Sequence, residues 1–480
     1  MATPNSSDRS QQQPSRPPQA PWRSGMAGFT VVWIGQLVSM VGSGMTQFAL
    51  MIWAWQITGH ATALALVGFF GFLPRILLSP IAGALVDRWN RKLVMMLSDL
   101  AAGLATVALF VLYQMNVLEM WHVYAAAAFA GAFGSFQFPA YSASISLMVD
   151  KKHLTRANAM LGVAESAANI FAPMAAGALL VFIGIGGVMT IDIVTFLFAI
   201  GALLLVRIPQ PAKHHVEETR SRSLLADSLF GFRYIFARPS LSGLLFLFLT
   251  LNLVLTFCGG VLAPMILARS GDNELVLGTV QMLFGVGGLV GGALLSLWGG
   301  PKAKYRIHAL LLAVIASSLF GEILLGIGQG VVLWGAGAFL AMFFVPVANS
   351  SSHAIWQTKI PPHLQGRVFS ARIVIGQIGG AVALPLAGVL ADRVFEPLML
   401  ADSPFSLALG KFVGSGPGAG MGLMFILFGT LGALVAAAAF LYRPIRNIDQ
   451  LLPDHDQAGV APSSTQTASD AVPDPEQAAA

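Results

Sequence analysis

Long apolar runs separated by short polar breaks dominate the chain. A helix that crosses a bilayer core needs about 20 mostly apolar residues, and twelve stretches meet that length. Their centres fall near Val38, Leu73, Ala105, Ala132, Ile170, Ile193, Val254, Val286, Ala316, Ala341, Ile378 and Gly432. Several contain Gly or Pro, which membrane helices tolerate, and none alternates with the period of a barrel strand. The pattern predicts an all-α polytopic membrane protein with twelve transmembrane helices. Residues 1–26 are Gln-, Pro- and Ser-rich without the apolar core of a signal peptide, so a disordered tail is expected there. Residues 443–480 are expected to form a second such tail. Between the spans, residues 27–208 and 239–442 form two six-helix units joined by a linker, 209–238. In that linker Leu225, Leu229, Phe232 and Phe236 recur at helical spacing, which predicts an amphipathic helix lying on the membrane surface.

Composition narrows the function class. Of 480 residues, 56% are hydrophobic and 10% charged, with a mean hydropathy of +0.73. Soluble domains carry about a quarter charged residues, so most soluble enzymes and nucleic-acid binders are excluded. Of the 27 Lys and Arg residues, 23 fall in the tails, the linker and the connections on the same side of the membrane, with Lys359, Arg367 and Arg372 in the connection between spans 10 and 11. The positive-inside rule then places both termini in the cytoplasm of a multi-pass protein of the plasma membrane, the inner membrane in a bacterium. The lone Cys258 lies in an apolar run and permits neither an internal disulfide nor a cysteine metal site. His214-His215 has no companion ligands, and no metal is expected. No G-x-x-x-x-G-K-[ST] motif occurs, so no nucleotide cofactor is expected either.

The two halves repeat each other weakly but in register. Gly83-Ala84-Leu85 with Trp89 matches Gly292-Ala293-Leu294 with Trp298, and Leu154 with Arg156 matches Leu364 with Arg367. Ala172-Pro173-Met174-Ala175 matches Leu384-Pro385-Leu386-Ala387, so the offset drifts only from 209 to 212 residues. A parallel duplication of six helices is the architecture of transporters that carry cargo between two pseudo-symmetric bundles.

Gly83-Ala-Leu-Val-Asp87-Arg88-Trp-Asn-Arg91-Lys92 is similar to the 2–3 loop motif of the major facilitator superfamily, with Asn90 where that family usually has glycine. The opening WIGQLVSMVGSGMTQFAL and the P-x-x-x-G of Pro173 to Gly177 resemble its macrolide-efflux branch of drug:proton antiporters. The resemblance covers roughly residues 27–442. It implies two pseudo-symmetric six-helix bundles and no enzymatic activity. It also implies a gate in which Asp87 meets the N-terminus of span 11, near Pro361 and Pro362. There the unpaired N–H groups of a helix end carry partial positive charge. Gly83 permits close helix approach, while Arg88, Arg91 and Lys92 are placed to meet lipid headgroups or a neighbouring carboxylate. Span 4 departs from the family in lacking the arginine that many proton antiporters carry there.

Ionisable groups inside spans are costly and usually functional. Arg75 and Asp99 flank the 2–3 turn at heights differing by five residues, about 7.5 Å of helix rise, which suggests an ion pair. Glu322 and Asp192 are expected near the outer membrane surface, with Asp192 a few residues beyond the turn at Gly184–Gly187. On span 5, Asn158, Gly162, Glu165 and Asn169 form one polar stripe. Glu165 has no basic residue near it on that helix, and its repeat counterpart is the untitratable Gln377. It is therefore the principal proton-coupling candidate, with Asp99, Arg75 and Asp192 behind it.

Span 1 presents Gln36, Ser39, Ser43 and Gln47 on one face, span 7 offers Asn252, and span 10 offers Asn349 and His353. With Phe136 and other aromatics these would wall a cavity for an apolar or amphipathic cargo. The expected function is proton-coupled export of hydrophobic or amphipathic small molecules by a monomer surrounded by membrane lipid, using the proton gradient and no cofactor. The alternative is a carrier of lipid-like, siderophore or other metabolite cargo without proton antiport.

Overall fold

The computed structural model describes residues 25–150, 153–209, 232–400, 404–452 and 454. Side chains at some helical positions, among them Gly83, Asp87, Arg88 and Gln377, lie outside the described residues, as do Leu225 and Leu229. The described chain is helical, with no strand. The N-terminal half contains α1 (Gly25–Thr58), α2 (Ala61–Arg88), α3 (Arg91–Gln114) and α4 (Met120–Met148), followed by α5 and α6. The last two run 154–183 and 185–205, parted at Gly184. Its φ of 63° and ψ of −176° belong to a region that only glycine enters freely. The C-terminal half contains α7 (Pro239–Ser270), α8 (Glu274–Trp298), α9, α10, α11 (Pro362–Leu390) and α12 (Ala419–Leu441).

Helix α9 runs from Arg306–Ser317 through a π-helical turn, Ser318–Glu322, to Ile323–Ile327. Helix α10 is two segments, Val331–Phe343 and Val345–Lys359, broken at Phe344. Pro346 follows the break and has no N–H to continue the hydrogen-bond ladder. Helix α11 continues through a second π-helical turn, Ala391–Phe395.

Neighbour relations repeat between halves as the sequence offset implies. Helix α2 packs on α4 as α8 packs on α10, and α3 packs on α6 as α9 packs on α12. Small residues permit these approaches. A methyl group at Gly131 would strike the Gly71 backbone, and one at Gly287 or Gly291 would strike the carbonyls of Phe339 and Phe343. The halves meet through α2 on α11 and α5 on α8.

Three sequence expectations change here. The stretch after α12 folds into two short helical turns, Arg443–Arg446 and Ile448–Leu451, whose Ile445 and Ile448 are buried three residues apart on one face. Lys359 also pairs with Asp454 at 2.8 Å, so the expected C-terminal tail begins later than residue 443. In the linker, 232–236 is helical, but Ile235 enters the C-terminal core and Phe236 is exposed. Finally, α2 and α3 barely touch beyond their turn, because α4 takes both as its principal neighbours.

Candidate functional site

Two acids in the N-terminal half are held by neutral donors. Asp99 on α3 accepts from Gln36 Nε2 of α1 at 2.7 Å and from Gln137 Nε2 of α4 at 2.8 Å. Gln137 also donates to Gln36 Oε1 at 2.9 Å, which closes a three-residue ring across three helices. Arg75 is exposed on α2 and takes part in no ion pair among the described residues, so the expected Arg75–Asp99 pair is not formed. Hairpin arithmetic sets height but not direction, and α4 separates the two helices that would have faced each other. Asp192 is 2% exposed, not interfacial. It lies eight residues beyond Gly184, about 12 Å of helix rise, and accepts from Ser43 at 2.9 Å and Thr106 at 3.0 Å.

The loop motif is partly visible. Arg91 Nη1 donates to the carbonyl of Ala143 at 2.7 Å, and Lys92 Nζ donates to those of Leu204 and Val206 at 3.2 and 2.9 Å. Lys92 thus satisfies carbonyls at the C-terminal end of α6, where a helix leaves acceptors unpaired and favours a cation. That is neither of the partners expected for it. Asn90 accepts from the N–H groups of Lys92 and Leu93, so it caps α3 where the family has glycine.

A cavity of about 730 Å³ opens chiefly in the C-terminal half, between α7, α9, α10 and α11, with Gly68 and Phe72 of α2 at one wall. Apolar groups dominate its lining. The sequence-derived candidates Asn252, Asn349 and His353 come together in it. Gln36 and Ser43 instead serve the two acid clusters, and Gln47 is exposed elsewhere on α1 with Ser39 half-buried. Phe136 belongs to a separate apolar pocket of about 230 Å³, where it stacks on Trp89 with centroids 6.5 Å apart. Glu165, Asn158 and Asn169 are exposed on α5, outside the cavity lining, and Asn158 donates to its own helix at Leu154. Glu165 lies about one turn from Asn169 and Ile170, which approach Gly285 of α8.

Two cavity residues were misplaced by sequence reasoning. Glu322, expected at the membrane surface, is 3% exposed, lines the cavity, and stands in the π-helical turn of α9. Such turns recur at functional sites. Arg372, read as part of the 10–11 connection, is 4% exposed and lines the cavity from within α11. Its position was legible: ten residues beyond Pro362 is about 15 Å up a helix. Gln137 carried no comparable signal, since only packing brings it to Asp99.

The halves are pinned at the end away from the chain termini. Asp392, in the π-helical turn of α11, accepts the N–H groups of Ala61 and Thr62 at 2.9 and 2.8 Å and the Thr62 hydroxyl at 2.6 Å. It therefore occupies the N-terminus of α2 across the interface between halves. Trp55 donates to Asp272 at 2.7 Å and Gln56 to Glu274 at 3.2 Å alongside it.

The sequence profile of the Major Facilitator Superfamily matches residues 32–384. The chain belongs to that superfamily. It is 26% identical over 422 residues to macrolide efflux protein A of Streptococcus pyogenes, covering 88% of this chain and 97% of that protein. It is 27% identical to the multidrug efflux pump Tap of Mycolicibacterium fortuitum, covering 74% and 87%, and 24% identical to the enterobactin exporter EntS of Shigella flexneri, covering 79% and 89%. Among solved structures, a bacterial homologue of the human lysosomal transporter Spinster superposes with a TM-score of 0.62 at 14% identity, covering 89% of this chain and 99% of that one. A bacterial homologue of the iron transporter ferroportin gives 0.58 at 16%, covering 88% and 99%. Fold and relatives are those of membrane-embedded transporters, not enzymes. The three relatives named here are efflux pumps or exporters.

Proposed function

We propose that the chain is a proton-coupled exporter of hydrophobic or amphipathic small molecules that works by alternating access in the bacterial inner membrane, as a monomer. The observation that carries this reading is a large, mostly apolar cavity, chiefly in the C-terminal half with α2 at one wall, in a molecule whose halves are pinned together at one end. With both termini cytoplasmic, the pinned end is the outer face and the cavity is reached from inside. Relatives named as macrolide, multidrug and enterobactin exporters support the same direction of transport. The proton gradient supplies the energy without a cofactor. Asp87 is the inner counterpart of Asp392, meeting the N-terminus of α11 when the outer end opens.

Glu165 is the principal proton carrier in this reading. It sits on the exposed polar stripe of α5, a helix that packs across the interface between halves, and so changes surroundings when they rock. A proton loads from outside as cargo leaves, and its release inside readmits cargo. Asp99 and Asp192, whose oxygens are held by amides and hydroxyls, are the reserve candidates. Glu165→Gln mimics the loaded form with nearly the same shape. It is expected to retain cargo binding and downhill exchange and to lose pH-driven accumulation, read in membrane vesicles with an imposed pH gradient. Wild-type accumulation by the Gln variant would remove Glu165 from coupling.

A further inference from the structure

Among the described residues, Arg372 is a buried charge without a counter-charge. Its guanidinium lies 4.4 Å from the Phe248 ring centroid and 5.3 Å from that of Trp356, so two aromatic rings lie within cation–π range of it. Nη2 donates to Ser352 Oγ at 3.0 Å. Among the described residues no carboxylate pairs with it, although Glu322 lines the same cavity. A guanidinium carries five N–H donors in one plane, and one is engaged here. Aromatic contacts with a guanidinium use its faces. The in-plane edge is the part suited to two parallel hydrogen bonds from a carboxylate or similar oxyanion. Burying an unpaired cation is costly, and that cost is offset when an anion arrives.

Beyond this charged end apolar groups predominate in the cavity, with Ser317, Ser318 and Glu322 of α9 and Asn349 and His353 of α10 as polar exceptions. Leu244, Leu247, Leu251 and Val314 line it, and Asn252 offers a neutral polar group whose Nδ2 is already engaged by Phe248 O at 2.7 Å.

We infer that this cavity takes amphipathic organic anions, with a carboxylate-like group on Arg372 and an apolar body along α7 and α9. The inference rests on the exporter reading and names the cargo class of that same cavity. A neutral amphiphile would fill the apolar part and leave the guanidinium edge unpaired.

The test uses a matched probe pair, pyrenebutyrate and its neutral primary amide, which differ only in the head group. Affinities are measured on the full-length protein in lipid nanodiscs, with empty discs as the blank. The wild type is expected to bind the acid at least tenfold more tightly than the amide. Arg372→Gln is expected to bring the two within twofold by weakening the acid alone, so unchanged amide affinity reports an intact cavity. Arg372→Lys keeps the charge but loses the fork and is expected to fall between. Equal binding of acid and amide by the wild type overturns the inference, as does a Gln variant that keeps the preference. So does a general loss of affinity for both probes in the Gln and Lys variants, which marks Arg372 as structural. Gradient-driven uptake of the amide into vesicles reads the exporter function separately. Uptake of the amide without any acid preference leaves the exporter reading standing and defeats this inference alone.

Discussion

Neutral amides hold Asp99, and this has energetic consequences. Removing Gln137 takes away a donor that serves both Asp99 Oδ1 and Gln36 Oε1. Leaving a buried acceptor unsatisfied costs about 1–3 kcal/mol, whereas a typical neutral hydrogen bond contributes about 1 kcal/mol. Gln137→Leu is therefore expected to lower the unfolding temperature in detergent by more than Asp99→Asn, which forces one donor–donor contact that a side-chain flip partly relieves. Because the residues form one ring, the double variant is expected to be more stable than the sum of the singles allows. Additive losses would show that the ring does not act as a unit. At this scale the sequence was half legible. Charged residues in apolar runs stood out, so Asp99, Asp192, Glu165 and Glu322 were all found. Gln137 and Thr106 were not, because they are joined to Asp99 and Asp192 only by the azimuth at which helices pack.

Helices carry the gate. Asp392 reaches the α2 N-terminus through the widened turn of α11, and Gly388, one turn earlier, lies so close to α2 that a Cβ would stand 2.6 Å from Thr62 Cα. A carboxylate at a helix N-terminus is stabilised by roughly 0.3–1 kcal/mol when exposed and up to about 2 when partly buried. Asp392→Asn is expected to shift the population toward the outward-open state, roughly twofold to thirtyfold by the same energies. Asp87→Asn is expected to shift it the opposite way. The readout is labelling from outside of a cysteine placed at Asn252, in a background with Cys258 replaced. Labelling should rise in the first variant and fall in the second, and equal labelling in both would remove the two acids from gating. Gly388→Val is expected to mimic the first variant by wedging α2 from α11. The helices themselves were legible from run length alone, since a bilayer leaves a backbone few ways to satisfy its polar groups. The breaks at Phe344 and the π-helical turns were not legible, because they depend on how neighbouring helices accommodate them.

Across the whole molecule, the two-fold repeat was legible from a drifting offset because each half must bury the same helix pairs. Gly83-Ala84-Leu85 and Gly292-Ala293-Leu294 recur on α2 and α8, which pack on α4 and α10 respectively. The cavity was less legible. Polar stripes on α1 and α5 pointed to the N-terminal half, but the described opening lies mainly against the C-terminal half. Stripes on α1 are spent on binding Asp99 and Asp192, whereas Arg372 and Glu322 were assigned to membrane surfaces they do not occupy. The central claim is that this asymmetric cavity exports cargo against a gradient by spending protons. Its most direct test is uptake of two neutral amphiphiles, pyrenebutyramide and pyrenebutanol, into everted membrane vesicles with an acidic lumen, which corresponds to the cell exterior. Accumulation several-fold above vesicles lacking the protein, abolished when nigericin collapses the pH gradient, is the predicted result. Uptake of both compounds that is the same with and without the gradient would contradict it.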